Sequence, residues 1–167
     1  IQSRQVEILQ SARYDDPIKY LSFMERINKT LENYMKERDS EKYLASMEDI
    51  AEDYRNGRSN VVYPENIINN SEAKSFYGSI CSGLKKSIGS AKGYENEATG
   101  FLALQIKDII ANNAKRDWRD NVIVHRNIKK LLDDALFDYM EENNLNWNFD
   151  TIDIIIEQIM LTAKKVY

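Results

Sequence analysis

Apolar side chains recur along this chain in steps of three and four, the period of a helix with one buried stripe. Tyr20, Met24, Ile27, Leu31 and Tyr34 form the first clear run. Pro17 suits the first helical position, where its missing N–H costs nothing, and Asp16 is the candidate N-cap. The pattern predicts a helix of about twenty residues with a seam like that of a coiled coil. Tyr43, Met47, Ile50 and Tyr54 keep the same rhythm behind Ser40 as cap, with Gly57 as a C-terminal stop. These two helices are expected to pair as an antiparallel hairpin. Upstream, Val6, Leu9 and Arg13 have helical spacing without a cap, as the trailing end of an element begun earlier would.

Residues 56–70, NGRSNVVYPENIINN, break the pattern, yet Val61, Val62, Tyr63, Ile67 and Ile68 are too apolar for a disordered linker. This connection is expected to pack on the core. Ser71 then opens a helix with Ala73, Phe76, Tyr77, Ile80, Leu84 and Ile88 on one face, ending near Gly89. Gly78 and Gly83 weaken it by up to about 1 kcal/mol each and mark close helix approach. The next helix is expected over 101–113, with a stripe of Phe101, Leu102, Gln105, Ile106, Ile109 and Ile110. A further helix from about Arg119 places Val124, Ile128, Leu131, Leu132, Ala135, Leu136 and Tyr139 together, and Asn143 and Asn144 suit a left-handed cap. The last run sets Ile152, Ile155, Ile156, Ile159, Met160 and Ala163 at helical spacing behind Asp150. Its β-branched residues also suit a strand, but length and cap favour helix.

Composition agrees: two prolines and six glycines in 167 residues leave room for few tight turns. The expectation is an all-α single domain over 1–167, of about five or six helices, beginning with the hairpin. The chain begins at Ile1, which suggests a segment of a longer protein. One cysteine, Cys81, permits no internal disulfide and fits a reducing, cytoplasmic setting. No apolar run approaches the ~20 residues of a membrane span.

Net charge is −4, which does not imply wholesale nucleic-acid binding, but the charge is uneven. Residues 115–130 hold six bases against two acids, whereas 131–167 hold two bases against eight acids. Along the helix that follows Trp118, bases precede acids, the order the helix dipole disfavours by roughly 0.3–1 kcal/mol per terminal charge. Neighbouring segments or a partner must answer these charges. Lys115, Arg116, Trp118, Arg119, Arg126, Lys129 and Lys130 are therefore the candidate binding residues, able to meet a phosphate backbone or an acidic surface. A solvated face with Lys129–Asp133 and Lys130–Asp134 pairs competes with that reading, and Trp118 is better placed as a packing anchor.

The segment Lys115-Arg116-Asp117-Trp118, Asn121, Val124, Ile128, Asp133, Asp134 and Leu136-Phe137-Asp138 resembles the C-terminal helical region of the restriction (R) subunit of type I restriction enzymes. Looser similarity extends to FMERINKTLENYMKER and SEAKSFYGSI, in the expected order. The resemblance implies a parent chain that is a type I site-specific deoxyribonuclease, an ATP- and Mg²⁺-dependent DNA translocase working with methyltransferase and specificity subunits. For this segment it implies a non-catalytic assembly domain that docks the R subunit onto the methyltransferase–specificity complex. The alternative is a DNA-binding helical module touching the duplex backbone through 115–130.

Catalytic chemistry has little to stand on. No G-x-x-x-x-G-K-[ST] loop is present to cradle phosphates. Glu72-Ala73-Lys74, with Asp53 upstream, matches the acidic–Glu-x-Lys pattern of Mg²⁺ nucleases but opens a helix rather than lying on strands. His125, the only histidine, has too few partners for a metal site and fits a core edge. No catalytic residue, no metal ligand and no cofactor is expected in the segment itself.

Overall fold

The computed structural model describes residues 17–56 and 61–167, and among them all regular structure is helical: six α-helices and two 3-10 turns. The expectations placed on Val6, Leu9, Arg13, Asp16 and Gly57 lie outside the described residues. Within this helical domain the contacts cluster into two compact units, Ile1–Val62 and Tyr63–Tyr167.

The first unit contains α1 (Pro17–Glu37) and α2 (Ser40–Arg55). Phe23, Ile27, Met47, Ile50 and Ala51 are buried between them, with Tyr43 and Tyr54 packed against the cluster. The ring pairs Phe23–Tyr54 and Tyr34–Tyr43, 5.5 and 4.9 Å apart, run in opposite order along the two helices, so α1 and α2 are antiparallel. Arg26 and Asp53 close an ion pair of 2.8 Å on the same side. Two details depart from the sequence pattern. Phe23 is buried in the seam while Leu31 is 44% exposed. Asp39, not Ser40, caps α2, accepting from the Lys42 N–H at 3.1 Å; left-handed Arg38 (φ 55°) turns the chain one residue earlier.

The second unit is built around α3 (Ser71–Ile88). Ser75 through Cys81 are buried in succession, so α3 has no solvent side over two turns. α6 (Phe149–Val166) and α4 (Glu97–Asn113) pack on it, and α5 (Val122–Glu142) packs on α4 and borders α6. Small residues at every fourth position of α3 set its distance from α6. Ser79 hydrogen-bonds Thr162 at 2.6 Å and Ser87 hydrogen-bonds Thr151 at 2.8 Å. Between them, a Cβ on Gly83 would lie 2.9 Å from the Ile155 Cα, so the expected close approach is real there. The pairing order makes α3 and α6 antiparallel. Ile67, in the 3-10 turn Glu65–Ile67, is fully buried, whereas Val62 is 85% exposed.

Several helix boundaries and faces differ from expectation. α4 begins at Glu97 rather than 101: Asn96 caps it through the Thr99 N–H at 3.1 Å. Gly100 is tolerated in its first turn because the Asn66 side chain occupies the space a Cβ would need. Its buried face is Leu102, Ala103, Ile106 and Ile110, and Phe101 is 64% exposed. α5 begins at Val122 rather than near Arg119, because left-handed Asp117 (φ 61°) starts a separate 3-10 turn, Trp118–Asp120, and Asn121 caps the helix through Ile123 and Val124 N–H groups. Ile128, Leu132, Ala135, Leu136 and Tyr139 are buried as expected, but Leu131 is 40% exposed. α5 ends where expected: Asn144 is left-handed (φ 54°), and Leu145 N–H reaches the Met140 carbonyl at 2.8 Å in a Schellman turn. α6 is a helix, not a strand, capped by Asn148 through Thr151 N–H at 2.8 Å rather than by Asp150. Its apolar stripe, Ile152, Ile155, Ile156, Ile159, Met160 and Ala163, is buried throughout.

Candidate functional site

Trp118 anchors the corner between α4 and α5. It is 4% exposed, and its ring meets His125 edge-on at a centroid distance of 5.5 Å. Burial removes it as a base-stacking platform and leaves it a packing residue at the edge of the charged turn. The indole Nε1 and imidazole Nε2 are both buried without a hydrogen-bond partner among the described residues. His125 thus sits at a core edge, as its place on the helix predicts.

On one side of this ring pair a cleft of about 400 Å³ is lined by Lys115, Arg116, Asp117, Arg119, Asp120 and Tyr167. On the other side a cleft of about 460 Å³ between α5 and α6 is lined by His125, Lys129, Asp153, Glu157, Leu161 and Lys164, with Ile156 and Met160 as its apolar floor. Lys164 of the second cleft and Tyr167 of the first both lie at the end of α6. There the Arg119 Nε donates to the Lys164 carbonyl oxygen at 2.9 Å, satisfying one of the orphan acceptors at a helix C-terminus with a cation that the dipole favours.

The structure therefore gathers Lys115, Arg116 and Arg119 at one corner, with Lys129 in the adjoining cleft. Arg126 and Lys130 are exposed on α5 and line neither cleft. Lys115 and Arg116 are exposed, and Arg116 approaches Asp117 at 4.0 Å, a fully solvated contact. Among the described residues no ion pair joins Lys129 to Asp133 or Lys130 to Asp134, so the expected i,i+4 pairs do not answer the bases. Sequence spacing missed Lys164, which enters the site only because α6 returns its C-terminus to the start of α5. Its place in the last turn of a helix was the available signal.

The antiparallel course of α5 and α6 has an electrostatic consequence. Arg119 meets the end of α6, and Phe137 meets Phe149 at its start, with ring centroids 6.0 Å apart. α6 carries the ordinary order, Asp150 and Asp153 early and Lys164 and Lys165 late. α5 carries the reverse order. Side by side, the two helices place bases next to bases and acids next to acids. Asp133 shows the result: partial burial first, then Asp134 and Asp153, raise its pKa above the ordinary carboxylate value. α6 does not neutralise the charge order of α5; it reinforces it.

The Glu72-Ala73-Lys74 trio lies in the first turn of α3. Ala73 is buried, Glu72 accepts a hydrogen bond from the Tyr167 hydroxyl, and Lys74 sits 4.9 Å from the Tyr63 ring centroid. Asp53 pairs with Arg26. Among the described residues no three or more His, Cys, Asp or Glu side chains are grouped to hold a metal ion. No described helix is long and apolar enough to cross a membrane. No family model matches this chain, and no curated protein or solved structure matches it.

Proposed function

We propose that this chain is a non-catalytic helical assembly module, the C-terminal domain of a type I restriction R subunit, and that its basic corner docks the subunit onto the methyltransferase–specificity complex. The observation that carries the reading is the exposed group Lys115, Arg116 and Arg119, which line one cleft with the buried Trp118, Arg119 being bound to the main chain of Lys164. A buried tryptophan fixes the turn that carries these charges, which lowers the entropy lost on binding. The sequence resemblance over 109–138 covers this same corner.

The test is charge reversal that spares the fold. Arg119 is left intact because it caps α6; Lys115→Glu and Arg116→Glu are combined. Exposed charges contribute little to stability, so the circular dichroism spectrum is expected to be unchanged. Affinity for the methyltransferase–specificity complex should fall by about tenfold at low salt and by less at high salt. Equal binding at both salt concentrations would reduce the corner to a solvated face. Retained subunit binding together with lost, salt-dependent duplex affinity would favour the DNA-contact alternative instead.

A further inference from the structure

The outer face of α5 and α6 is antisymmetric in charge. At one end stand Arg126 and Lys164, with Arg119 behind them; at the other stand Asp133, Asp134, Asp150 and Asp153. Lys129 and Glu157, of opposite sign, share the middle of the cleft over Ile156 and Met160. The helical steps agree: Arg126 and Asp133 are seven apart on α5, and Asp153 and Lys164 lie on one side of α6. Large apolar groups sit at both ends, Val122 at 68% exposure beside the bases, and Phe149 at 75% with Phe137 at 38% beside the acids. An isolated chain gains nothing from this arrangement, since each end concentrates like charge.

We propose that the α5–α6 face is a two-fold interface between two copies of this chain. A two-fold axis through the Lys129–Glu157 level brings the Arg126/Lys164 end of one copy onto the Asp133/Asp153 end of the other, twice over, and sets each Phe137–Phe149 pair against Val122. One surface answers itself, which is the defining property of an isologous contact. The size is adequate: α5 has 21 residues, about 31 Å of helix, and two helices about 10 Å apart present roughly 600 Å² per copy. Both copies together bury about 1,200 Å², the lower end of specific interfaces, so the dimer is weak and salt-sensitive. The inference shares Lys164 with the docking corner but does not depend on docking, and it is tested on the chain alone.

The experiment is sedimentation equilibrium on the full chain and on two variants, Arg126→Glu/Lys164→Glu and Asp133→Lys/Asp153→Lys. The wild type is expected to dimerise, with its dissociation constant rising about tenfold or more between ~50 and ~500 mM salt. Each variant alone should dimerise far more weakly than the wild type, because the substituted positions then face like charges across the axis. An equimolar mixture of the two should restore a one-to-one complex. If circular dichroism shows that a double variant has lost helix, the exposed neutralisations Lys164→Gln and Asp153→Asn replace it, each weakening the dimer at low salt. A wild type that stays monomeric at about 100 µM and low salt overturns the proposal. So does self-association that the variants leave untouched, and so does a face that binds the methyltransferase–specificity complex while the chain remains monomeric.

Discussion

At the residue scale, two positions report on forces that burial alone does not reveal. Gly83 stands where α3 packs tightly on α6, and a methyl group there would lie 2.9 Å from both the Cα and the Cγ1 of Ile155. Gly83→Ala should therefore destabilise the protein by about 1–3 kcal/mol despite the better helix propensity of alanine. A denaturation midpoint at or above that of the wild type would show that the helices have room to part. Asp133 makes the opposite case. Its folded-state pKa is raised, so the folded state binds its proton more tightly than the unfolded chain, and stability is lost as pH rises through and beyond the ordinary carboxylate range. Asp133→Asn should raise the urea midpoint at neutral pH, and the gain should vanish in acid, where the wild-type carboxyl is protonated in both states. A gain that persists at low pH would assign the effect to something other than charge.

At the element scale, α5 separates what a stripe of apolar residues can promise from what packing uses. Seven residues share its expected stripe, but the neighbours reach only part of it: Ile128 and Leu132 have no exposed surface, while Leu131, one position away, is 40% exposed. Leu132→Ala and Ile128→Ala should each cost about 2–5 kcal/mol, and Leu131→Ala well under ~1 kcal/mol, measured by chemical denaturation. Equal losses at 131 and 132 would place the buried face wrongly. Helix starts show a related lesson. Asp39, Asn70, Asn96, Asn121 and Asn148 all cap helices through side-chain oxygens. Several rival serines and aspartates stand one or two residues away, and the choice among them belongs to the turn that precedes each helix, as the left-handed residues Arg38 and Asp117 demonstrate.

At the scale of the whole molecule, a net charge of −4 hides a segregated surface. The basic corner and the α5–α6 face share Lys164 at the end of α6, while Lys115 and Arg116 belong to the corner alone. Lys115→Glu/Arg116→Glu should leave self-association within about twofold of the wild type while weakening docking, since both residues precede α5 and neither lines the α5–α6 cleft. Loss of both together would mean that the two surfaces are one. The unit Tyr63–Tyr167 holds every residue in this argument. That unit brings together residues 115–119, 125–133 and 149–164, which no single stretch of sequence displays side by side.

The sequence alone determined the helical class, most of the apolar stripes, the left-handed end of α5 and the charge order along it, because helix periodicity, cap chemistry and sign are local properties of neighbouring residues. It also marked Trp118 as a packing residue and Gly83 as a point of close approach. Tertiary structure decided the rest. α3, unremarkable in pattern, became the buried centre because its small residues at 79, 83 and 87 let α6 close upon it. Phe23 was buried and Leu31 left exposed according to where the neighbouring helix lay, and Lys164 joined the basic corner across 45 residues of chain through Arg119. The meaning of the charge order was decided there too. Reversed charges on one helix are neutral information until the direction of the adjacent helix is known, and an antiparallel α6 turns them from a local inconvenience into a surface with two unlike ends.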